Sequence, residues 1–281
     1  MDARPPLSFE FFPPKTPEGM ARLREVRTVL AAFAPEFCSV TYGAGGSTRE
    51  PTLATVLMLH DAGAAVAPHL SFGGDDAKGV ERLLDRYRAA GIRRLVALRG
   101  DLPSGVGGSA QLVHANELVA LIRRHSGDHF QIHVAAYPEI HPEARSYADD
   151  IHWLGQKFAA GADAAITQYF YSADAYFYFV DACRAAGIDR PIVPGIMPIT
   201  NHESLVRFSA RCGAEIPRWL QYRLAGWGDD LEGLRAFGIE VVARLGERLL
   251  AGGAPGLHFY TLNQAEATAA ILRALGWPES A

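Results

Sequence analysis

Eight short runs of apolar residues alternate with longer amphipathic segments along the 281-residue chain. We predict strands over residues 7–12, 37–43, 65–72, 92–99, 131–137, 164–170, 192–197 and 257–262. Strict alternation of strands and helices predicts a parallel sheet, and eight is the number of strands that closes a (β/α)8 TIM barrel. The expected fold class is therefore α/β, a TIM barrel formed by a single domain over residues 1–281.

The segments between the strands carry helical periodicity. The segment DDAKGVERLLDRYRAAG has one apolar stripe, follows an acidic pair and ends at Gly91. The segment SAQLVHANELVALIRRHSG is predicted to begin a helix at Ser109 and to end it at Gly127. Residues 200–226 predict extra short helices before the last strand.

An open, doubly wound sheet is the structural competitor. That fold favours a glycine-rich phosphate turn after the first strand, whereas the first strand here ends in Pro13-Pro14. The segment GAGGST at 43–48 lacks both the lysine of a P-loop and the spacing of GxGxxG. The sequence therefore favours the barrel.

Composition excludes several classes of function. The net charge of −4 comes with no basic run, so no nucleic-acid partner is expected. The chain has no run of 18 uncharged apolar residues and no signal-peptide core, so no membrane partner is expected either. Three isolated cysteines fit a reducing cytoplasm. His129 and His133 straddle a loop and a strand, and we predict no metal site.

Polar residues follow nearly every predicted strand, at the end where TIM barrels place their active sites. Glu10 is the most unusual, because it lies between Phe9 and Phe11 and a charged carboxylate is costly to bury among apolar groups. Strand alternation that turns Glu10 to solvent is the simpler interpretation. The combination of polar strand ends nevertheless predicts an active site. Its members are Glu10, Thr41, Tyr42, His69, Arg99, Gly100, Asp101, Tyr137, His141, Thr167, Gln168 and Asn263.

A set of motifs in order along the chain resembles the methylenetetrahydrofolate reductase family from residue 7 to about residue 275. The motifs are SFEFFPPKT, SVTYGAGG, PHLSF, ALRGDLP, AAYPEIHPEA, AITQYFY, GIMPI and HFYTLN. The resemblance implies a flavoenzyme on a TIM barrel. It would transfer a hydride from NADH or NADPH through FAD to 5,10-methylenetetrahydrofolate, in a ping-pong scheme that serves one-carbon metabolism and methionine biosynthesis. It also implies a cytoplasmic homo-oligomer and a chain that contains the catalytic domain alone.

The same resemblance assigns roles to residues. Glu10 becomes the general acid, with a pKa raised by aromatic neighbours and a stacked flavin, and Asp101 lies near the flavin and the bound pterin. Substrate contacts fall on Glu10, Asp101, Gln168, His202 and Gln264. Cofactor contacts fall on Thr41, Tyr42, Ala44, His69, Arg99, Gly100, Asp101, Ala115, Tyr137, His141, Ala144, Asp150, Trp153, Gln156 and Lys157.

The chain departs from the family pattern at several of these positions. His202 replaces an aromatic residue that stacks on substrate, and Gln264 replaces an arginine present in some members. Trp153 and Gln156 replace an asparagine and a basic residue near the adenosine end of FAD. We expect Trp153 to stack on the adenine; the alternative is that it covers a neighbouring loop or a subunit interface.

Two other functions remain open from the sequence. One is a flavin- or folate-binding barrel without turnover, and the other is a barrel flavin reductase of a different imine or enone. The presence of both Glu10 and Asp101 favours an enzyme, because binding alone needs no general acid.

Overall fold

Eight parallel strands form a closed barrel in chain order, with the last strand paired to the first. This computed structural model describes residues 4–42, 49–72, 76–99 and 114–279. The strands are β1 Leu7–Phe11, β2 Phe37–Val40, β3 Val66–Leu70, β4 Arg94–Ala97, β5 Gln131–Ala136, β6 Ala164–Tyr169, β7 Ile192–Ile196 and β8 Leu257–Tyr260. All eight predicted strands and the (β/α)8 barrel are confirmed.

Helices follow the strands around the outside of the barrel. They are α1 Pro17–Ala31, α2 Arg49–Asp61, α3 Ala77–Ala89, α4 Ala115–Ser126, α5 Tyr147–Ala159, α6 Ala173–Ala185, α7 His202–Cys212, α8 Arg218–Ala225, α9 Leu231–Ala251 and α10 Glu266–Ala274. The helices α7 and α8 are the extra ones predicted before the last strand. None of the helices in the four described ranges combines the length and hydropathy needed to cross a bilayer.

Local capping explains where several helices begin. The side chains of Thr16, Asp76 and Ser146 each accept a hydrogen bond from a backbone N–H three residues later, at the starts of α1, α3 and α5. The predicted start of α4 at Ser109 differs from the observed one. The helix begins at Ala115, where the backbone N–H of His114 donates to the Glu117 carboxylate at 2.7 Å. Residues 109–113 lie outside the described ranges.

Several strands are shorter than predicted at their carboxyl ends. The last strand ends at Tyr260 rather than at residue 262. Leu262 and Asn263 adopt left-handed backbone angles, with φ of 52° and 54°, which cannot continue a strand. Apolar residues continue beyond the last hydrogen bond between the strands, and hydropathy alone assigns these loop residues to the strand.

Alternation along β1 decides which way Glu10 points. Phe9 and Phe11 are buried in the apolar layer between strands and helices. Ser8 and Glu10 point the opposite way, into the barrel. The barrel interior also holds a small apolar cluster around Phe37. Glu10 therefore lies inside the barrel, and the simpler interpretation that it faces solvent is wrong.

Candidate active site

The Glu10 carboxylate lies between two histidines inside the barrel. Its Oε2 atom is 3.3 Å from Nε2 of His69 and 3.8 Å from Nε2 of His258. The Glu10 side chain is only 18% exposed. The two imidazoles come from β3 and β8, so the cluster exists only once the barrel has closed. No group of three metal-ligating side chains in the described ranges is arranged to hold a metal ion.

The imidazole of His258 is completely buried and is held at its other nitrogen. Its Nδ1 atom lies 2.7 Å from the Ser8 hydroxyl, in hydrogen-bond contact. The ring stacks on Phe37 with centroids 6.2 Å apart and meets Tyr260 edge-on at 5.3 Å. Its Nε2 atom has no hydrogen-bond partner in the described part of the chain. That nitrogen faces Glu10.

Two opposing effects act on the pKa of Glu10. Burial raises it, but the polar contact with His258 and the charge and polar contact of His69, at 3.8 and 3.3 Å and without hydrogen-bond geometry, lower it more, to about 2. The expected elevation of the Glu10 pKa is therefore wrong for the structure. Burial inside the barrel does desolvate the group, but the two histidines, which the strand-1 motif does not reveal, outweigh that effect.

A second polar cluster lies beyond β4 and β5. Arg99 forms an ion pair with Glu143 at 2.5 Å. The rings of Tyr137 and His141 meet edge-on at 4.5 Å. The backbone N–H of His141 donates to the Asp150 carboxylate at 2.8 Å. Four of the predicted cofactor residues are thus brought together by contacts among themselves and with Glu143.

Lys157 completes this cluster from the side of α5. Its ammonium donates to the backbone carbonyl of Ala135 at 2.8 Å. Burial lowers its pKa to about 8; Asp150 opposes that shift and the charge of Arg99 adds to it. Two nearby cations, of which one is largely desolvated, form a suitable site for a diphosphate. The residues present therefore fit the pyrophosphate of FAD.

Trp153 has one neighbour that the sequence did not predict. Its indole is 39% exposed and stacks on the His114 imidazole, with centroids 5.4 Å apart and planes inclined by 17°. His114 precedes α4, so a residue of a neighbouring connection contacts the indole. Gln156, one turn along α5, is exposed. The stacking on adenine stays a prediction.

The other predicted residues occupy varied positions. The N–H of Thr41 donates to Phe11 at 2.9 Å, and Gln168 accepts a hydrogen bond from the N–H of Tyr169. The remaining residues are Tyr42 after β2, Ala115 at the start of α4, Ala144 in the turn after His141, half-buried His202 at the start of α7 and exposed Gln264 after β8. Ala44, Gly100 and Asp101 lie outside the described residues.

The backbone around Glu10 is held by Thr261, which the sequence analysis did not predict, and by Asn263, which it did. The Thr261 hydroxyl donates to the Glu10 carbonyl at 2.7 Å. The Asn263 side chain contacts both backbone groups of Phe12, at 3.0 and 2.9 Å. Ser8 and His258 were also missed. Alternation by two along β1 and β8 could have placed Ser8 and His258 inside the barrel, but not in contact with each other.

Comparison with known sequences reveals relatives over nearly the whole chain. A sequence model described as methylenetetrahydrofolate reductase matches residues 2–276. The "5,10-methylenetetrahydrofolate reductase" of Escherichia coli is 39% identical, over 96% of this chain and 90% of the relative. The "Probable methylenetetrahydrofolate reductase (NADH)" of Oryza sativa is 38% identical over 98% of this chain. The chain spans about half the length of the plant relatives, 49% for the rice protein.

Comparison with solved structures supports the barrel. One is described as an uncharacterized protein from Clostridium thermocellum that binds two copies of 5-methyl-5,6,7,8-tetrahydrofolic acid. It aligns with a TM-score of 0.69 and 19% identity, over 97% of this chain and 94% of that one. An oxaloacetate acetylhydrolase aligns with a TM-score of 0.54 and 15% identity, over 96% of this chain and 82% of that one. At these identities the likeness concerns the fold alone.

Proposed function

Because this chain belongs to the methylenetetrahydrofolate reductase family, we propose that it reduces 5,10-methylenetetrahydrofolate to 5-methyltetrahydrofolate with NADH or NADPH. The proposal includes bound FAD and a role in one-carbon metabolism and methionine biosynthesis. The observation that carries it is the Glu10 carboxylate inside the mouth of the barrel, in contact with two imidazoles. A site that only bound its ligand would have no need of such a proton-exchanging group.

FAD, when bound, supplies the chemistry that takes up and delivers a hydride. Arg99 and Lys157 would hold its pyrophosphate through charge-assisted contacts, because their cationic groups lie close together beyond β4 and β5. Tyr137, His141 and Asp150 would line the same cradle. His69, Thr41 and Tyr42 would contact the cofactor on the side of β2 and β3.

Glu10 would manage the proton that the folate requires. The methylene bridge must open to an iminium before it accepts a hydride, and opening needs a proton on the departing ring nitrogen. Glu10 would deliver that proton and would then remain as a carboxylate, which stabilises the positive iminium. Asp101, Gln168, His202 and Gln264 are proposed to contact the folate or the nicotinamide, and the negative charge of Asp101 is proposed to favour hydride donation.

NADH is the preferred reductant in this proposal. The plant relatives carry NADH in their names, which supports the choice. We also propose one catalytic domain, a homo-oligomer and a cytoplasmic location. Sedimentation of the purified protein tests the oligomer.

The anaerobic half-reactions test the proposed function. Purified protein should be yellow, NADH should bleach it, and 5,10-methylenetetrahydrofolate should restore the colour. Alternate use of one site by the two substrates predicts parallel lines in double-reciprocal plots. A colourless protein, or a yellow one that NADH cannot bleach, would indicate a barrel without turnover. Bleaching without recovery on addition of the folate would indicate a reductase of another imine or enone.

A further inference from the structure

His258 is buried where the proposed chemistry needs a proton. Its ring has no exposed surface, its Nδ1 contacts the Ser8 hydroxyl at 2.7 Å, and its Nε2 lies 3.8 Å from Glu10 Oε2. Buried polar atoms are nearly always hydrogen-bonded, yet Nε2 makes no hydrogen bond in the described part of the chain. An unpaired buried nitrogen beside a carboxylate requires an explanation.

We propose that His258, held by Ser8, is a positioning residue that shares one proton with Glu10 and thereby makes Glu10 an effective general acid. This inference rests on the proposed function. In it, Ser8 accepts a hydrogen bond from Nδ1–H, so that Nε2 is the nitrogen that gains and loses the proton. The Ser8 hydroxyl, which can donate or accept, fixes this tautomer only in the accepting role.

The proton transfers balance within the cluster. The loaded pair carries the proton on His258 Nε2, as an imidazolium that the Glu10 carboxylate favours, whereas burial lowers the pKa of His258 and favours the neutral ring between turnovers. The proton moves to Glu10 Oε2 and from there to the departing folate nitrogen, as the bond from that nitrogen to the methylene carbon breaks. The bond's electron pair stays on the nitrogen. Glu10 ends as a carboxylate and His258 as a neutral ring, and one proton from solvent reloads the pair in each turnover.

This arrangement resolves a conflict in the site. The two histidines lower the pKa of Glu10, so the isolated carboxyl holds a proton poorly at neutral pH and the pair holds it better. Coupled groups titrate as a unit, and the apparent pKa belongs to the pair. His69 lies nearer, with its Nε2 3.3 Å from Oε2 and likewise without a hydrogen bond in the described part of the chain. His258 is nevertheless the better partner, because Ser8 holds its far nitrogen and solvent does not reach it.

Other titratable groups surround the His258 ring. The guanidinium of Arg94 lies over the Phe37 ring, 5.5 Å from its centroid, and His258 stacks on the same ring. The charge of a protonated His133 would lower the proton affinity of His258, and the reverse also holds. The titratable groups that contact the His258 ring or act on it by charge are Glu10 of β1, His69 of β3, His133 of β5 and Tyr260 of β8, and Arg94 of β4 lies over the neighbouring Phe37 ring.

The test compares His258→Gln with a matched control, His133→Gln. A glutamine can still donate a hydrogen bond to Glu10, but it cannot titrate. His133 is also buried in the barrel and contacts the same Phe37 ring, with the two ring centroids 5.0 Å apart. Each holoenzyme is reduced anaerobically with NADH and then mixed with 5,10-methylenetetrahydrofolate from pH 5 to pH 9.

We expect His258→Gln to slow the folate step at pH 7 by about ten-fold or more, within the range that proton delivery supplies. The pH midpoint of that step should move down by at least one unit, because the amide donor favours the carboxylate. Reduction by NADH should keep its wild-type rate. The His133→Gln profile should match the wild type, because burial lowers the pKa of His133 to about 4 and its ring carries no charge from pH 5 to pH 9. A slower step with an unchanged midpoint would show that His258 is only a structural donor, and an unchanged rate would also reject the inference.

A spectroscopic measurement keeps the inference testable if His258→Gln does not fold. Nitrogen-15 NMR of histidine-labelled wild-type holoenzyme reports which ring nitrogen carries a proton. We expect Nδ1 of His258 to stay protonated across the pH range while Nε2 titrates, and Ser8→Ala to disturb that pattern. An Nε2 atom that stays protonated at every pH, together with an unprotonated Nδ1, would overturn the inference. A wild-type enzyme that does not reoxidise with the folate would instead reject the proposed function.

Discussion

Glu10 shows how neighbours can reverse the effect of burial on a single carboxyl group. The barrel wall removes water from Glu10, which favours the neutral acid. Two imidazoles at 3.3 and 3.8 Å favour the carboxylate more strongly. The proposed proton delivery by Glu10 would therefore depend on the cluster rather than on the isolated side chain.

Glu10→Gln should separate the two half-reactions. The amide keeps the shape of the side chain but cannot deliver a proton, so folate reduction should fall by about 10²–10⁴-fold. Reduction by NADH needs no acid and should stay near its wild-type rate. Stopped-flow absorbance under anaerobic conditions measures both steps, with the exposed Glu240→Gln as the control. Equal losses in both steps would mean that Glu10 holds the cofactor or the fold.

Trp153→Ala should weaken FAD binding. Stacking of an aromatic ring on a base contributes roughly 1–3 kcal/mol, so the dissociation constant of FAD should rise about ten-fold, with little change in turnover at saturating FAD. Fluorescence titration of the apoprotein measures the constant, and the exposed Trp219→Ala is the matched control. If Trp153 packs only on His114, the variant will lose thermal stability while its FAD affinity stays unchanged.

At the scale of elements, helix and strand types were predictable but their limits were not. Periodicity and capping residues identify α3 and α5, because those signals are local. The helix α4 begins at Ala115, after extended backbone at His114 whose N–H donates to Glu117, and the predicted start at Ser109 lies outside the described residues. The strand ends were overestimated, because left-handed residues such as Asn263 depend on contacts with Phe12 from the other end of the chain.

Arg123 connects α4 to the segments that precede β5 and β6. Its guanidinium donates to the carbonyls of Phe130 and Gly161 at 2.8 and 2.9 Å. It also donates to the Asp163 carboxylate at 2.7 Å, and Asp163 accepts in turn from the N–H of Ile132. One side chain therefore stabilises two connections at the amino-terminal end of the barrel.

Arg123→Gln should lower the free energy of unfolding by about 2 kcal/mol, since hydrogen bonds to charged groups contribute about 1.5–3 kcal/mol each when buried and this group is partly exposed. Urea unfolding measures the change. Arg244→Gln removes an exposed pair with Glu240 on α9 and should cost less than about 1 kcal/mol. Equal effects of the two substitutions would contradict a special role for Arg123.

At the scale of the whole molecule, the site depends on pairs that are distant in sequence. Site residues that follow the strands could be predicted, because a barrel brings the carboxyl ends of its strands to one face. The contact between Ser8 and His258 joins residues 250 positions apart. It depends on the register between β1 and β8, which hydropathy does not specify. The pKa of Glu10 was therefore the part of the site that sequence reasoning could not obtain.

The buried histidines should make the barrel unstable in acid. Burial, with the charges of His258 and Arg94, lowers the pKa of His133 from 6.5 to about 4. The unfolded chain then binds more protons than the folded one between those values, so stability is lost as pH falls from 6.5 toward 4. The lowered pKa of Glu10 extends the loss from 4.5 toward 2.

His133→Gln should remove the first part of this loss, because glutamine does not titrate. Urea unfolding of the holoenzyme at fixed FAD, at pH 7 and at pH 4.5, measures the difference. Each unit of pKa shift corresponds to about 1.4 kcal/mol, so the wild type should lose up to about 3 kcal/mol more than the variant over this interval. If the imidazole packs better against Phe37 than the amide does, the variant will have a lower free energy of unfolding at pH 7. That offset does not change how steeply the free energy of unfolding falls with pH. Parallel stability curves for the two proteins would show that His133 is protonated in the folded barrel without cost, and that its burial is not what limits the protein in acid.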